Sequence, residues 1–153
     1  MMVGDLHTEL AALIRADFGE VMWRDRTRLG QAIGTISPLT GHSHLYDAVV
    51  ARKLSAVRWL VRLGGQVRDR VQASDPWRAA LELNDPVPML ELLLTSGALS
   101  LDELGACADD LRTLERTTSR PGVATGAYKL YLETCRRIER EPDPPTPTPI
   151  APA

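Results

Sequence analysis

Apolar residues recur at helical spacing along most of this chain, and glycine and proline cut the pattern into short pieces. Leu6, Leu10, Leu13, Ile14 and Phe18 share one face of a helix predicted over 6–18. Gly19 breaks that run, and a second periodic stretch follows from about 21 to 33. The 34–44 segment holds Gly34, Pro38 and Gly41 and reads as a loop. Two short helices are then expected, over 45–51 and 55–63. Gly64-Gly65 ends the second, as glycine does when a helix closes through a left-handed residue. The 66–74 stretch is too polar for a core strand. Asp75-Pro76 opens another helix running to about 83, since proline is tolerated in a first turn. Asn84-Asp85-Pro86 interrupts it, and a helix over 88–95 ends at Gly97.

The rest of the body begins at Ser100, which stands three residues before Glu103. That is the spacing of a capping box, and it predicts a helix from there to about 116. A loop is expected over 117–126 around Pro121-Gly122. A last helix over 127–140 places Leu130, Tyr131, Thr134, Cys135 and Ile138 along one side. Six of the thirteen residues from Glu141 onward are proline, so 141–153 is expected to be a disordered or polyproline-like tail.

Composition supports an all-α body. Of the 153 residues, 44% are hydrophobic but only 5% aromatic, so Leu, Ala, Val and Ile must build the core. The net charge of -2 lacks the basic excess a nucleic-acid binder uses to neutralise phosphates. Lys53 and Lys129 are the only lysines. Arginine pairs bidentately with carboxylates, which suits an acidic protein surface, although genomic base composition gives the same bias. No stretch approaches the roughly 20 apolar residues of a membrane span, and no signal peptide is visible. A soluble cytoplasmic protein without a membrane partner is expected.

The chain also repeats itself. Gly64 and Gly97 lie 33 residues apart, and each closes an apolar helix preceded by a shorter one containing Ala48 or Ala80. Ser43-His44-Leu45-Tyr46 and Asp75-Pro76-Trp77-Arg78 open the two units. Val57, Leu60 and Gly64-Gly65 in the first correspond to Met89, Leu92, Leu93 and Gly97-Ala98 in the second. This arrangement resembles the ankyrin repeat, over residues 43–99. Arg52 and Asn84 replace the family's glycine between helices, and the connecting segment is one residue short. The resemblance implies one ankyrin-like domain over 1–140, a short helical-hairpin solenoid. Helix pairs at 1–42 and 100–140 would be degenerate caps with polar outer faces.

Ankyrin repeats overwhelmingly bind other proteins through first helices and connecting turns. Carried onto this chain, that surface comprises His42, Val50, Ala51, Arg68, Asp69, Arg70, Gln72, Glu82 and Leu83. The Arg68-Asp69-Arg70 turn can reach a partner's carboxylates or simply be solvated. Trp77, at a repeat opening, either packs between units or stands out as an interface anchor. Trp59 is expected in the core, and Trp23 half buried.

Motifs for chemistry are weak. His42 and His44 have spacing suited to a shared metal, but no third ligand is evident, and His44 more simply hydrogen-bonds between units. Cys107 sits among small residues and packs as a hydrophobe, with no neighbouring base. No phosphate loop or nucleophile elbow occurs. The expectation is therefore a non-enzymatic binding protein with no cofactor. Its small size and the habits of the family suggest a dedicated inhibitor of one partner, such as a bacterial immunity protein or a phage-encoded inhibitor. A nucleic-acid regulator using Arg24, Arg26 and Arg28 is the alternative, weakened because those residues spread around a helix. An enzyme without a recognisable motif ranks below both.

Overall fold

A computed structural model describes residues 3–17, 19–33, 35–68, 75–97 and 99–145. Among them are nine α-helices and no strand: α1 (Val3–Ala16), α2 (Gly19–Arg24), α3 (Arg26–Ile33), α4 (His44–Val50), α5 (Leu54–Arg62), α6 (Pro76–Leu81), α7 (Val87–Ser96), α8 (Leu101–Thr117) and α9 (Pro121–Arg137). An isolated antiparallel bridge joins Ile36 to Ser43. The chain forms two compact units, Met1–Ala98 and Leu99–Ala153, where a single domain over 1–140 was expected.

In the first unit α4 packs on α5 and α6 on α7, and corresponding helices also touch, α4 against α6 and α5 against α7. The N-terminal helices extend both rows, α1 packing on α4 and α2 on α5. Two rows result, α1–α4–α6 and α2–α5–α7. Their buried sides carry Leu45, Ala48 and Val49, then Ala56, Val57, Leu60 and Val61, then Trp77 and Ala80, then Met89, Leu90, Leu93 and Leu94. Ala48 and Ala80 are both completely buried. The stretch expected as one helix over 21–33 is divided at Asp25 into α2 and α3.

Chain turns are closed by hydrogen bonds that satisfy the last carbonyls of each helix. At the end of α5, Gly64 N–H donates to the Val61 carbonyl (3.1 Å) and Gly65 N–H to that of Leu60 (2.9 Å). Gly64 adopts φ +105°, and a Cβ on Gly65 would stand 2.9 Å from the Leu60 oxygen. Both glycines are therefore required, for different reasons. The same turn ends α4, with Arg52 N–H on Val49 and Lys53 N–H on Ala48, both 3.0 Å. There the left-handed residue is Arg52, at φ 58°. A side chain at that position costs energy that glycine avoids.

The start of α5 has a more distant partner. Its N-cap, Lys53, has no side-chain acceptor to offer. Instead Asp17 Oδ1 accepts the Ala56 N–H at 2.9 Å. The turn between α1 and α2 thereby supplies the missing cap, and its carboxylate also complements the helix dipole. By contrast Ser43 caps α4 locally, through the Tyr46 N–H.

The second unit is a helical hairpin. Ser100 and Glu103 form the reciprocal capping box at the start of α8, as their spacing predicted. The last helix begins at Pro121, inside the segment expected to be a loop. Proline at the first helical position gives up no bond, because that N–H has no intrahelical acceptor. Burial of Val123, Ala127, Leu130 and Tyr131 then offsets the poor helix propensity of Gly122 and Gly126.

The start of the proline-rich segment, residues 141–145, has no regular secondary structure and is held against this hairpin. Tyr128 Oη–H donates to the Asp143 carbonyl at 2.7 Å, and Asp143 N–H donates to Tyr131 Oη at 2.9 Å. Arg112 donates to the Pro144 carbonyl at 2.6 Å while its other terminal nitrogen pairs with Glu115 at 2.7 Å. Proline cannot donate from its nitrogen, so the strap uses carbonyls and the one available amide. Residues 146–153 lie outside the described residues.

Two stability changes follow. Asp17→Ala should lower the unfolding free energy by about 1 kcal/mol, the usual worth of a helix cap. Arg52→Gly should raise it by about 0.5–1 kcal/mol, because relief of the left-handed side chain exceeds the entropy glycine adds to the unfolded chain. Urea unfolding followed by circular dichroism measures both.

Candidate partner-binding surface

The surface implied by the repeat pattern is only partly assembled. Val50 is 52% exposed, and Ala51 and Glu82 are exposed with Leu83 half-buried. These four sit at the C-terminal ends of α4 and α6, which are neighbours in the first row. His42 and Arg68 precede the same two helices and therefore belong to the opposite end, about 10 Å away along a seven-residue helix. The expected set is thus two patches. Asp69, Arg70 and Gln72 fall outside the described residues.

Two expected anchors are engaged elsewhere. The Trp77 side chain is fully buried and belongs to the core, so it is unavailable as an interface anchor. The Trp77 backbone N–H donates to the Val67 carbonyl at 3.0 Å, fastening Val67 to the start of α6. Arg68 Nε lies 3.2 Å from the Asp75 carboxylate, which is only 2% exposed. A buried carboxylate needs a charge partner, so Arg68 serves the fold before it serves any ligand. His42 packs its ring against Tyr46, with centroids 4.4 Å apart.

Inside the unit, His44 meets His7 of α1, not His42. His7 Nδ1 and His44 Nε2 are 2.7 Å apart, with ring planes 15° apart and both side chains buried. Thr35 fixes the tautomers. Its hydroxyl donates to the Ala32 carbonyl (2.9 Å), so at 3.4 Å it accepts from His7 Nε2–H. This leaves His7 Nδ1 as a lone-pair acceptor, and the His44 Nε2–H donates to it. Burial pushes the His44 pKa down to about 4, and the neighbouring His7 adds to the effect. No third metal-binding side chain joins the pair among the described residues. The pair links α1 to α4 through a buried contact.

The second row presents the features that sequence patterning did not assign. Trp59, expected in the core, is half-buried and stacks on Trp23 of α2, with centroids 5.3 Å apart and planes tilted by 35°. The Arg26 guanidinium lies 4.9 Å from the Trp23 ring and that of Arg62 lies 4.6 Å from Trp59. Beside Trp59 an open groove of about 360 Å³ runs between the second-row helices, lined by Glu20, Leu54, Arg58, Pro88 and Leu92 among others. Helical phase carried the missing signal. Trp59 shares a face with Ser55 and Arg62, away from Ala56, Val57, Leu60 and Val61.

Pairing removes one member of the basic trio on α2 and α3. Arg28 forms a two-pronged bond to Glu9 at 2.7 and 2.6 Å and also pairs with Asp25. That guanidinium holds the Glu9 carboxyl below its usual range. Arg24 and Arg26 remain exposed. No described helix is long and apolar enough to cross a membrane.

No protein-family model matches the chain, and no curated protein or solved structure matches it. Any functional reading must therefore come from its own residues.

His44 makes stability pH-dependent in a definite direction. With a folded pKa near 4 and an ordinary unfolded value near 6.5, the unfolded chain binds the extra proton between them. The stabilisation is complete above about pH 6.5 and declines as pH falls toward 4, by up to about 2–3 kcal/mol. His44→Gln should flatten the profile between about pH 7 and 5, where most carboxylates stay ionised. Urea titrations across that range check it.

Proposed function

We propose that this chain is a protein-binding module of ankyrin-like build, acting without catalysis or cofactor as a small dedicated inhibitor or immunity-type protein. The observation that supports this reading is the repeated pairing, in which α4–α5 and α6–α7 pack side by side with corresponding helices in contact. Such a stack contributes walls, and its surface carries apolar side chains at water. Val50 is 52% exposed, Val21 41% and Trp23 37%. Aromatic, aliphatic and arginine side chains together are the composition from which interface centres are made.

The nucleic-acid reading loses support from the pairing of Arg28 with Glu9 and Asp25. It also lacks the net positive charge that gives such binding its strength.

Co-expression of the full chain with the products of neighbouring genes tests the proposal, because inhibitors are often encoded beside their targets. The expected outcome is a stoichiometric complex that survives gel filtration. Failure to form one with any neighbouring product or in host lysates counts against the reading, and salt-sensitive binding to DNA in its place replaces it.

A further inference from the structure

The Trp23–Trp59 face differs from an ordinary solvated surface in three respects. Val21, Trp23 and Leu54 are exposed by 41, 37 and 45%, although α2 and α5 bury their other sides in the core. The groove beside Trp59 is open and has apolar walls from Leu54, Pro88 and Leu92. Four exposed arginines, Arg24, Arg26, Arg58 and Arg62, lie on or beside these helices, and among the described residues none of them pairs with a carboxylate. Arg58 lines the groove together with Glu20, and Arg62 lies over the Trp59 ring that forms one of its walls.

We propose that this α2–α5–α7 face docks an acidic segment of a partner protein, with an apolar side chain seated beside Trp59 and carboxylates on Arg58 and Arg62. The proposal rests on the protein-binding reading and moves the contact from the first row of helices to the second.

Charge complementarity selects the occupant. A guanidinium lying over an indole still presents its N–H edge, and that edge matches a carboxylate bidentately. Arg62 is held in this way over Trp59, so less rotamer freedom is lost when it binds. Glu20 also lines the groove and repels an acid placed beside it. Stacking of nucleobases fits less well. Each indole already has its partner indole and a guanidinium against it, which leaves less ring surface for the base stacking that single-stranded binders use.

The test is a selection of random peptides of about 12 residues displayed on phage against the full chain, with oligo(dT) as the nucleic-acid probe. Selected peptides are then measured in solution by tryptophan fluorescence. The expected result is enrichment of peptides combining Asp or Glu with Leu, Phe or Trp. Arg58→Glu with Arg62→Glu should weaken their binding at least tenfold and leave the circular dichroism spectrum unchanged, since both side chains are exposed. Trp59→Ala should weaken it through loss of the groove wall. Val50→Asp with Glu82→Lys, on the first row, should not affect it. Peptides whose binding ignores the arginine reversal but fails in the first-row variant overturn this site and leave the protein-binding reading intact. Enrichment of basic peptides, or no enrichment at all, also overturns the site. Binding of oligo(dT) alone overturns both.

Discussion

The helices from α2 to α7 run six to ten residues, below the length at which a helix persists in water on its own propensity. Everything in the first unit depends on that constraint. Each helix must bury a face against neighbours, and each exposes chain ends close to those neighbours. Row packing supplies the first requirement, through Val57 and Leu60 in α5 and Leu90 and Leu93 in α7. Polar ties between distant segments supply the second.

Those ties have a common logic. Asp17 caps α5 from a turn 39 residues earlier, His44 hydrogen-bonds to His7, and Arg68 pairs with Asp75 at the start of α6. In each case a group that would be costly to bury alone finds its partner in another element. Polar groups at the ends of short helices thereby fix how successive pairs meet, and apolar burial provides the driving force. The same economy governs the second unit, where Tyr128, Tyr131 and Arg112 take the backbone groups of Asp143 and Pro144.

Function follows from what the packing leaves over. The first row uses Trp77 and Arg68 internally, which removes two of the side chains expected to meet a partner. The second row leaves two indoles, a groove and several arginines at the surface. A partner with acidic and apolar groups is the complement of that arrangement, whereas phosphate-rich ligands meet a chain of net charge -2.

The sequence by itself determined the helical class, the 33-residue offset, and the Gly64-Gly65 and Ser100–Glu103 signals. These are local properties, set by periodicity and by the chemistry of helix ends. Tertiary structure decided the rest. No local pattern tells that Asp17 caps Ala56 or that His44 faces His7, because those partners are 39 and 37 residues apart. Trp59 shows the boundary between the two. Its position on the polar side of α5 was legible from helical phase, but its contact with Trp23 required α2 to pack beside α5. Proline placement shows it again, since Pro121 marks a loop or a helix start equally well until the buried face that follows selects the helix.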